Sequence, residues 1–395
     1  MTIPERVDIL VVGGGIHGVG VAQAAAAAGY SVLLLEQTGL ASGTSSRSSK
    51  LIHGGLRYLE TMELRLVRES LRERELLLQL APGLVHRQRF LLPIYGNTSR
   101  RPSTIRAGLS LYTLLAGFRR QTGFRSIPRR RWAQLDGLRL EGLQHVFQYW
   151  DAQTDDRRLT EAVMQSAASL GAVCRCPAEF LAAEITPDEC RSRYRWKAAE
   201  CELSSAVIVN AAGPWASAVA ARIAPEPPTP AVDLVQGTHL ELPGPVPQGG
   251  YYLEAPEDGR AVFVLPWHDR TLLGTTERLY VGDPAQVVPT DVEVEYLLNV
   301  YRHYFPGRSR QVLDQWAGLR VLPASREAAT TRSRETQLPV DNARRPRVIS
   351  VFGGKLTGYR ATAERVMDCL RATLAPRPPR ADTRSLMLAD QDLNR

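Results

Sequence analysis

Lysine occupies only positions 50, 197 and 355 of this 395-residue chain, against 46 arginines. A compact, titratable ammonium can do chemistry that a fixed guanidinium cannot. Two of the three lysines lie in glycine- and serine-rich stretches. The first, residues 43–60, reads Gly-Thr-Ser-Ser-Arg-Ser-Ser-Lys-Leu-Ile-His-Gly-Gly-Leu-Arg-Tyr-Leu-Glu. Small hydroxylated residues followed by Lys50, His53, a glycine pair and Arg57-Tyr58 make a poor helix or strand. They suit a backbone that passes close to a bulky anionic ligand and then presents polar groups to a second one. The other stretch, residues 352–357, is Phe-Gly-Gly-Lys-Leu-Thr. His239, in Val-Gln-Gly-Thr-His-Leu, can serve as a base near neutral pH or sit satisfied on a sheet face. Arg320, in Gly-Leu-Arg, offers paired donors to an anion or is a plain surface charge.

These residues need elements to position them. Residues 8–12 are a short apolar run expected of a central parallel strand. Gly13-Gly14-Gly15-Ile16-His17-Gly18 follows, then an alanine-rich helix over 19–28 and a strand over 31–35 ending at Glu36. That order of strand, GxGxxG, helix, strand and acid gives a glycine motif its meaning as a dinucleotide site. Gly13 permits the tight turn, Gly15 admits a pyrophosphate to the backbone, and Gly18 lets helix and strand pack closely. The helix N-terminus then faces the phosphates, and Glu36 is placed to accept from a ribose hydroxyl. Small residues recur after two further strands, 206–209 and 348–352, at Ala211-Ala212-Gly213 and Gly353-Gly354, where backbone can again approach a ligand.

The cofactor domain is therefore expected to be discontinuous, from 1–80, 150–225 and 315–375, with 81–149 and 226–314 forming a second domain and 376–395 a tail. Short apolar runs at 251–253, 261–265 and 271–273 suggest an antiparallel sheet in that second domain. Helices are expected over 61–80, 155–170, 291–304 and 359–374, and a strand over 172–176. The seven prolines of 225–247 mark connections and edges in place of a central strand.

Composition narrows the class: 44% hydrophobic and 23% charged residues describe an ordinary globular protein, and the net charge is +8. Nothing approaches the roughly 18 to 20 apolar residues of a spanning helix. The five cysteines form no paired ligand set, so they read as reduced thiols of a cytosolic protein, with no metal site. The arginine-rich segment 100–131 reads as a solvated face or as a patch that lies on anionic lipid. Aromatics spaced to stack bases are missing, so nucleic acid is not an expected partner.

Taken in order, Gly13–Gly18 with Glu36, the 43–60 stretch, Tyr149-Trp150-Asp151, Asn210–Trp215, Gly274-Thr275-Thr276, Gly318-Leu319-Arg320 and Gly353–Arg360 resemble the FAD-dependent glycerol-3-phosphate dehydrogenases. These belong to the D-amino-acid-oxidase-like flavoproteins, and the likeness spans about residues 5–375. It implies an α/β fold with a glutathione-reductase-like FAD-binding Rossmann domain and an antiparallel-sheet substrate domain. By the same resemblance, Gly13, Gly15, Gly18, Glu36, Thr44, Ser45, Ser46, Lys50, Ala212, Gly213, Gly354, Lys355, Leu356 and Thr357 hold the FAD. Arg57, Tyr58, His239, Arg320, Arg332 and Lys355 meet the substrate, and His239, Lys355, Arg320 and Arg57 are the expected catalytic set.

The implied reaction oxidises sn-glycerol 3-phosphate or a close phosphorylated polyol to the ketone. Hydride passes to flavin and electrons go on to a quinone. The implied location is cytoplasmic, peripheral on the inner face of the membrane. Departures are a Val321-Leu322 pair where the family places proline, Gly358 where it places threonine, and no C-terminal helical cap after the Pro/Arg-rich stretch 375–384. Two other readings keep the flavin: oxidation of a 2-hydroxy acid or amine, and a non-catalytic flavin-binding partner subunit.

Overall fold

The computed structural model of the chain describes residues 5–117, 123–325, 332 and 335–390. Its first sheet has the strand order β11 (Ile223–Ala224), β8 (Ala178–Ile185), β9 (Cys190–Trp196), β10 (Ala199–Asn210), β1 (Arg6–Val12), β2 (Val32–Leu35) and β7 (Val173–Arg175), with β18 (Val348–Ser350) also beside β10. The core of this sheet is parallel: β1 pairs with β2 and β10, β10 with β18, and β2 with β7. Such strands are buried on both faces, which is why β2 is the unbroken run Val-Leu-Leu-Leu.

Helices α1 (Ile16–Ala27), α4 (Asp156–Ser169) and α7 (Tyr359–Leu370) cover one face. α1 lies between the other two and buries all but one of its residues, so it is built of alanine, valine and glycine and shows no polar stripe. The antiparallel meander β8–β9–β10 covers the other face with Phe180, Cys190 and Tyr194.

The second sheet runs β16 (Arg278–Tyr280), β12 (Val232–Pro243), β15 (Arg270–Gly274), β14 (Ala261–Trp267), β13 (Gly250–Glu254), β4 (Val85–Tyr95), β6 (Leu143–Thr154) and β3 (Leu51–Ile52). In addition, β17 (Asp314–Pro323) pairs with β12, and β5 (Arg125–Ser126) with β6. Its pairings are antiparallel except β4–β13. Helix α6 (Asp291–Tyr304) starts with a Thr290/Glu293 capping box and packs Leu297, Tyr301 and Tyr304 into this sheet's core. The remaining helices are α2 (Leu64–Leu80), α3 (Pro102–Leu115) and the short α5 (Ala216–Ala220).

Four sequence expectations are corrected. Residues 232–243 form a long strand bonded on both sides, because the prolines cluster at its ends and 231–242 contain none. Residues 315–323, expected in the cofactor domain, belong to β17, which pairs into the second sheet along residues 232–241 of β12. Nor do residues 377–390 hang free as a tail: Arg380 N donates to Ala27 O, Leu388 N to Leu80 O, and Leu388 is buried in the core of the first sheet. Helix 359–374 ends early, at Leu370, and no strand was expected over 85–95 or 143–154, where β4 and β6 pair. Among the described residues no helix is long and apolar enough to cross a membrane.

Candidate active site

Four parallel strands of the first sheet, β1, β2, β10 and β18, deliver their C-terminal ends to one cavity of about 610 Å³, where ligands of open α/β sheets bind. Gly13 and Gly14 follow β1, Glu36 follows β2, Ala211 to Gly213 follow β10, and Gly353 to Thr357 come soon after β18; all line the cavity. Gly13 has φ +111°, and a Cβ there would lie 2.6 Å from Ala211 O. A Cβ on Gly18 would lie 1.9 Å from Gly13 O, so the first turn of α1 and the loop tolerate only glycine.

The Glu36 carboxylate accepts from Gly14 N at 2.7 Å and Thr38 N at 2.8 Å. Ser45 Oγ accepts from Ile16 N at 2.9 Å, joining the 43–60 stretch to the helix start. Thr44 Oγ1 donates to Leu319 O at 2.7 Å and thereby ties the same stretch to β17. His17, in the glycine loop, is held at about 4 by burial and by Arg365, so it is neutral.

At the far end the cavity meets the second sheet. His239 projects from the centre of β12, 2% exposed, stacked on Trp316 of β17 at 5.7 Å. His239 Nε2 shares a hydrogen bond with Ser49 Oγ at 2.9 Å, and Nδ1 has no partner among the described residues. Burial, then the charges of Arg320 and Lys50, hold this imidazole well below its ordinary value. Arg320 donates to Thr275 Oγ1 at 3.1 Å and Thr276 O at 3.3 Å. Thr276 is in turn fixed by its hydroxyl, which donates to buried Glu293 at 2.5 Å and accepts from Thr238 N. Glu277 Oε1 sits 3.6 Å from Nη1 of both Arg320 and Arg57, a charge contact too long for a hydrogen bond. Lys355 Nζ stands 3.7 Å above the ring of Tyr58. Tyr252 borders the same space, and burial pushes its phenol up to about 12, so it stays a donor.

A dinucleotide cradle and a cationic pocket with a neutral imidazole thus share one cavity. The model of the FAD dependent oxidoreductase family matches residues 8–361. The chain belongs to that family. A glycerol-3-phosphate dehydrogenase of Pseudomonas aeruginosa is 38% identical over 387 residues, covering 94% of this chain and 73% of that protein. A D-erythritol 1-phosphate dehydrogenase of Brucella abortus is 36% identical, covering 94% and 75%. The solved glycerol-3-phosphate dehydrogenase of Bacillus halodurans complexed with FAD superposes with a TM-score of 0.76 at 27% identity, over 97% of this chain and 68% of that one.

As an FAD-dependent oxidoreductase the chain must seat a long cofactor, and its residues fit one. The cavity volume is in the range of cofactor sites, and the glycine loop is closed to side chains. A Cβ on Gly213, by contrast, would meet no protein atom within 4 Å, which leaves that side open to a ligand.

The expected residues divide clearly. Gly13, Gly15, Glu36, Thr44 and Ser45 line the cavity, as do Ala212, Gly213 and Gly354 to Thr357. Arg57, Tyr58, His239 and Arg320 line it too. Gly18 packs behind the loop. Lys50 is outside: its φ of +59° points the ammonium to Asp156, 2.5 Å away, and to Ser46 O, so it pins the 43–60 stretch to α4. Ser46, not among the lining residues, offers its carbonyl to that lysine. Arg332 is also outside, paired with Asp233 at 2.5 Å. Sequence reasoning missed Ser49, Trp316, Tyr252 and Glu277. Of these Ser49 and Glu277 carried a signal, the first by lying within the 43–60 stretch and the second by directly following the Gly274-Thr275-Thr276 motif.

Proposed function

We propose that the protein oxidises sn-glycerol 3-phosphate, or a close phosphorylated polyol, to the ketone, with FAD as immediate acceptor and a quinone as the next. The observation that carries this reading is one cavity holding the dinucleotide cradle, two arginines and a buried neutral histidine. The names of the two relatives point the same way, one to the three-carbon and one to a four-carbon polyol phosphate.

FAD, when bound, would supply the acceptor for a hydride from the carbinol carbon. Arg57 and Arg320 grip the phosphate through paired N–H donors. Glu277 offsets one of the charges of Arg57, Arg320 and Lys355, and the two that remain match a phosphate dianion. His239 takes the hydroxyl proton at Nε2, where Ser49 now orients the ring. Its depressed pKa keeps it unprotonated, and the arriving dianion raises it toward the value at which a base works best. Lys355 and Arg320 stabilise negative charge growing on the substrate oxygen. The segments of the first sheet form the FAD unit in this reading, and those of the second sheet, β17 included, form the substrate unit. A quinone acceptor places the enzyme in the cytoplasm against the inner membrane face, with the exposed Arg101, Arg106 and Arg129 to Arg131 near α3 as the basic contact.

Anaerobic glycerol 3-phosphate should bleach the flavin absorbance, and inorganic phosphate should compete. An unbleached spectrum removes the substrate assignment. Bleaching by a 2-hydroxy acid or an amine without competition by phosphate would replace it.

A further inference from the structure

Asp151, which ends the Tyr-Trp-Asp run on β6, and Tyr112, on α3, have no part in the chemistry above. Both are almost closed to solvent. Tyr112 Oη lies 2.9 and 3.0 Å from the two Asp151 oxygens and donates to that carboxylate. It accepts in turn from Gly54 N at 2.9 Å, and the same N–H makes a longer bond of 3.3 Å to Asp151 Oδ1. Arg74 Nη1 donates to Asp151 Oδ1 at 2.6 Å and to Trp150 O at 3.1 Å, while its other nitrogens donate to Glu75. Arg87 holds the far side of Glu75 at 2.7 Å. A buried ionic chain whose members are all satisfied fixes geometry, and a gap in it is costly.

We propose that Tyr112 is a positioning residue: its hydroxyl links the Arg74–Asp151 pair to the Gly54–Gly55 turn and so sets the aim of Arg57 and Tyr58 into the cavity. The turn is tightly clasped. A Cβ on Gly54 would fall 2.5 Å from Tyr112 Oη, and one on Gly55, where φ is +76°, would fall 2.1 Å from the Tyr58 ring. Upstream, His53 N donates to Thr357 Oγ1 at 3.1 Å, so the short loop spans from the cofactor side to the substrate side. Downstream, the Tyr58 ring carries Lys355. α3 buries only Leu109 and Tyr112, so the hydroxyl is how this surface helix reaches the site.

The test uses the FAD-loaded enzyme. Tyr112→Phe removes the hydroxyl bridge, leaving only the longer Gly54–Asp151 contact, and keeps the ring. Its FAD absorbance should match that of the wild type, and deuterium exchange at the Gly54–Tyr58 amides should quicken about tenfold. KM for glycerol 3-phosphate should rise about five- to tenfold, as for one lost hydrogen bond, with a smaller change in kcat. Leu109→Ala loosens the same helix without touching Gly54 and should leave KM unchanged. Unchanged exchange in Tyr112→Phe, or an equal rise of KM in Leu109→Ala, overturns the proposal. The kinetic arm rests on the substrate reading. If the wild type is not bleached, that reading falls and exchange alone decides this one. Should Tyr112→Phe shed its FAD, Asp151→Asn, which keeps the shape and weakens the acceptor, is read by the same two outcomes.

Discussion

At its Glu36 end the cavity is walled by backbone: consecutive glycines, two strand ends and the first turn of a helix, contributed mainly by residues 13–17 and 211–213. At its His239 end it is walled by side chains from β12, β17, the 43–60 stretch and the turn after β15. On the function proposed above, the first end recognises a constant cofactor through amide groups that any sequence carries, so it selects residues for what they lack. On the same reading the second recognises a particular substrate through charge and hydrogen bonds, so it selects residues for what they bear. Substitutions should therefore fail differently at the two ends: all-or-none where a Cβ has no room, graded where a functional group is exchanged.

The largest effect is expected from Gly18→Ala. With its new carbon 1.9 Å from Gly13 O, helix and loop must separate, and the purified protein should be colourless by absorbance. Full loading with FAD would break the contrast between the two ends. His239→Gln should keep the flavin spectrum and lose about 100- to 10,000-fold in kcat, the usual range for a general base. A kcat within about threefold of wild type, against that range, would move the proton to another group.

The smallest effect is on stability and concerns both ends, since half-buried His17 and buried His239 are each held neutral. The unfolded chain takes up these protons near 6.5, whereas folded His17 does so only near 4 and His239 also well below its ordinary value. Stability is thus full above about pH 6.5 and is lost as pH falls from there toward about 4. Thermal melts should show Tm dropping over that window, and His17→Gln should flatten the upper part of the drop. An identical slope in the variant would assign the acid sensitivity to the carboxylates.

How far the sequence could be read follows the same division. The strand, glycine loop, helix and Glu36 lie within one contiguous unit, and local sterics tie each glycine to its place, so that end of the cavity was legible before any fold was known. The ends of α6 were legible too, because the Thr290/Glu293 box and the apolar period are local. β12 was not: proline count over a window hides where the prolines fall, and the strand fits between Pro230 and Pro243. Lys50 and Arg332 looked like ligands for an anion because a cation is judged from sequence without its partner. Asp156 and Asp233 are 106 and 99 residues away along the chain.

The sequence by itself determined that a dinucleotide would lie across a parallel sheet and that small residues would line its path, since those demands act between near neighbours. The tertiary structure decided which cations face the cavity, that Ser49 and Trp316 hold His239, that Glu277 stands between two arginines, and that a surface helix reaches the Gly54–Gly55 turn. Those are pairings of charge and hydrogen bond across strands distant in sequence, and they depend on distances of a few ångströms that residue order does not encode locally.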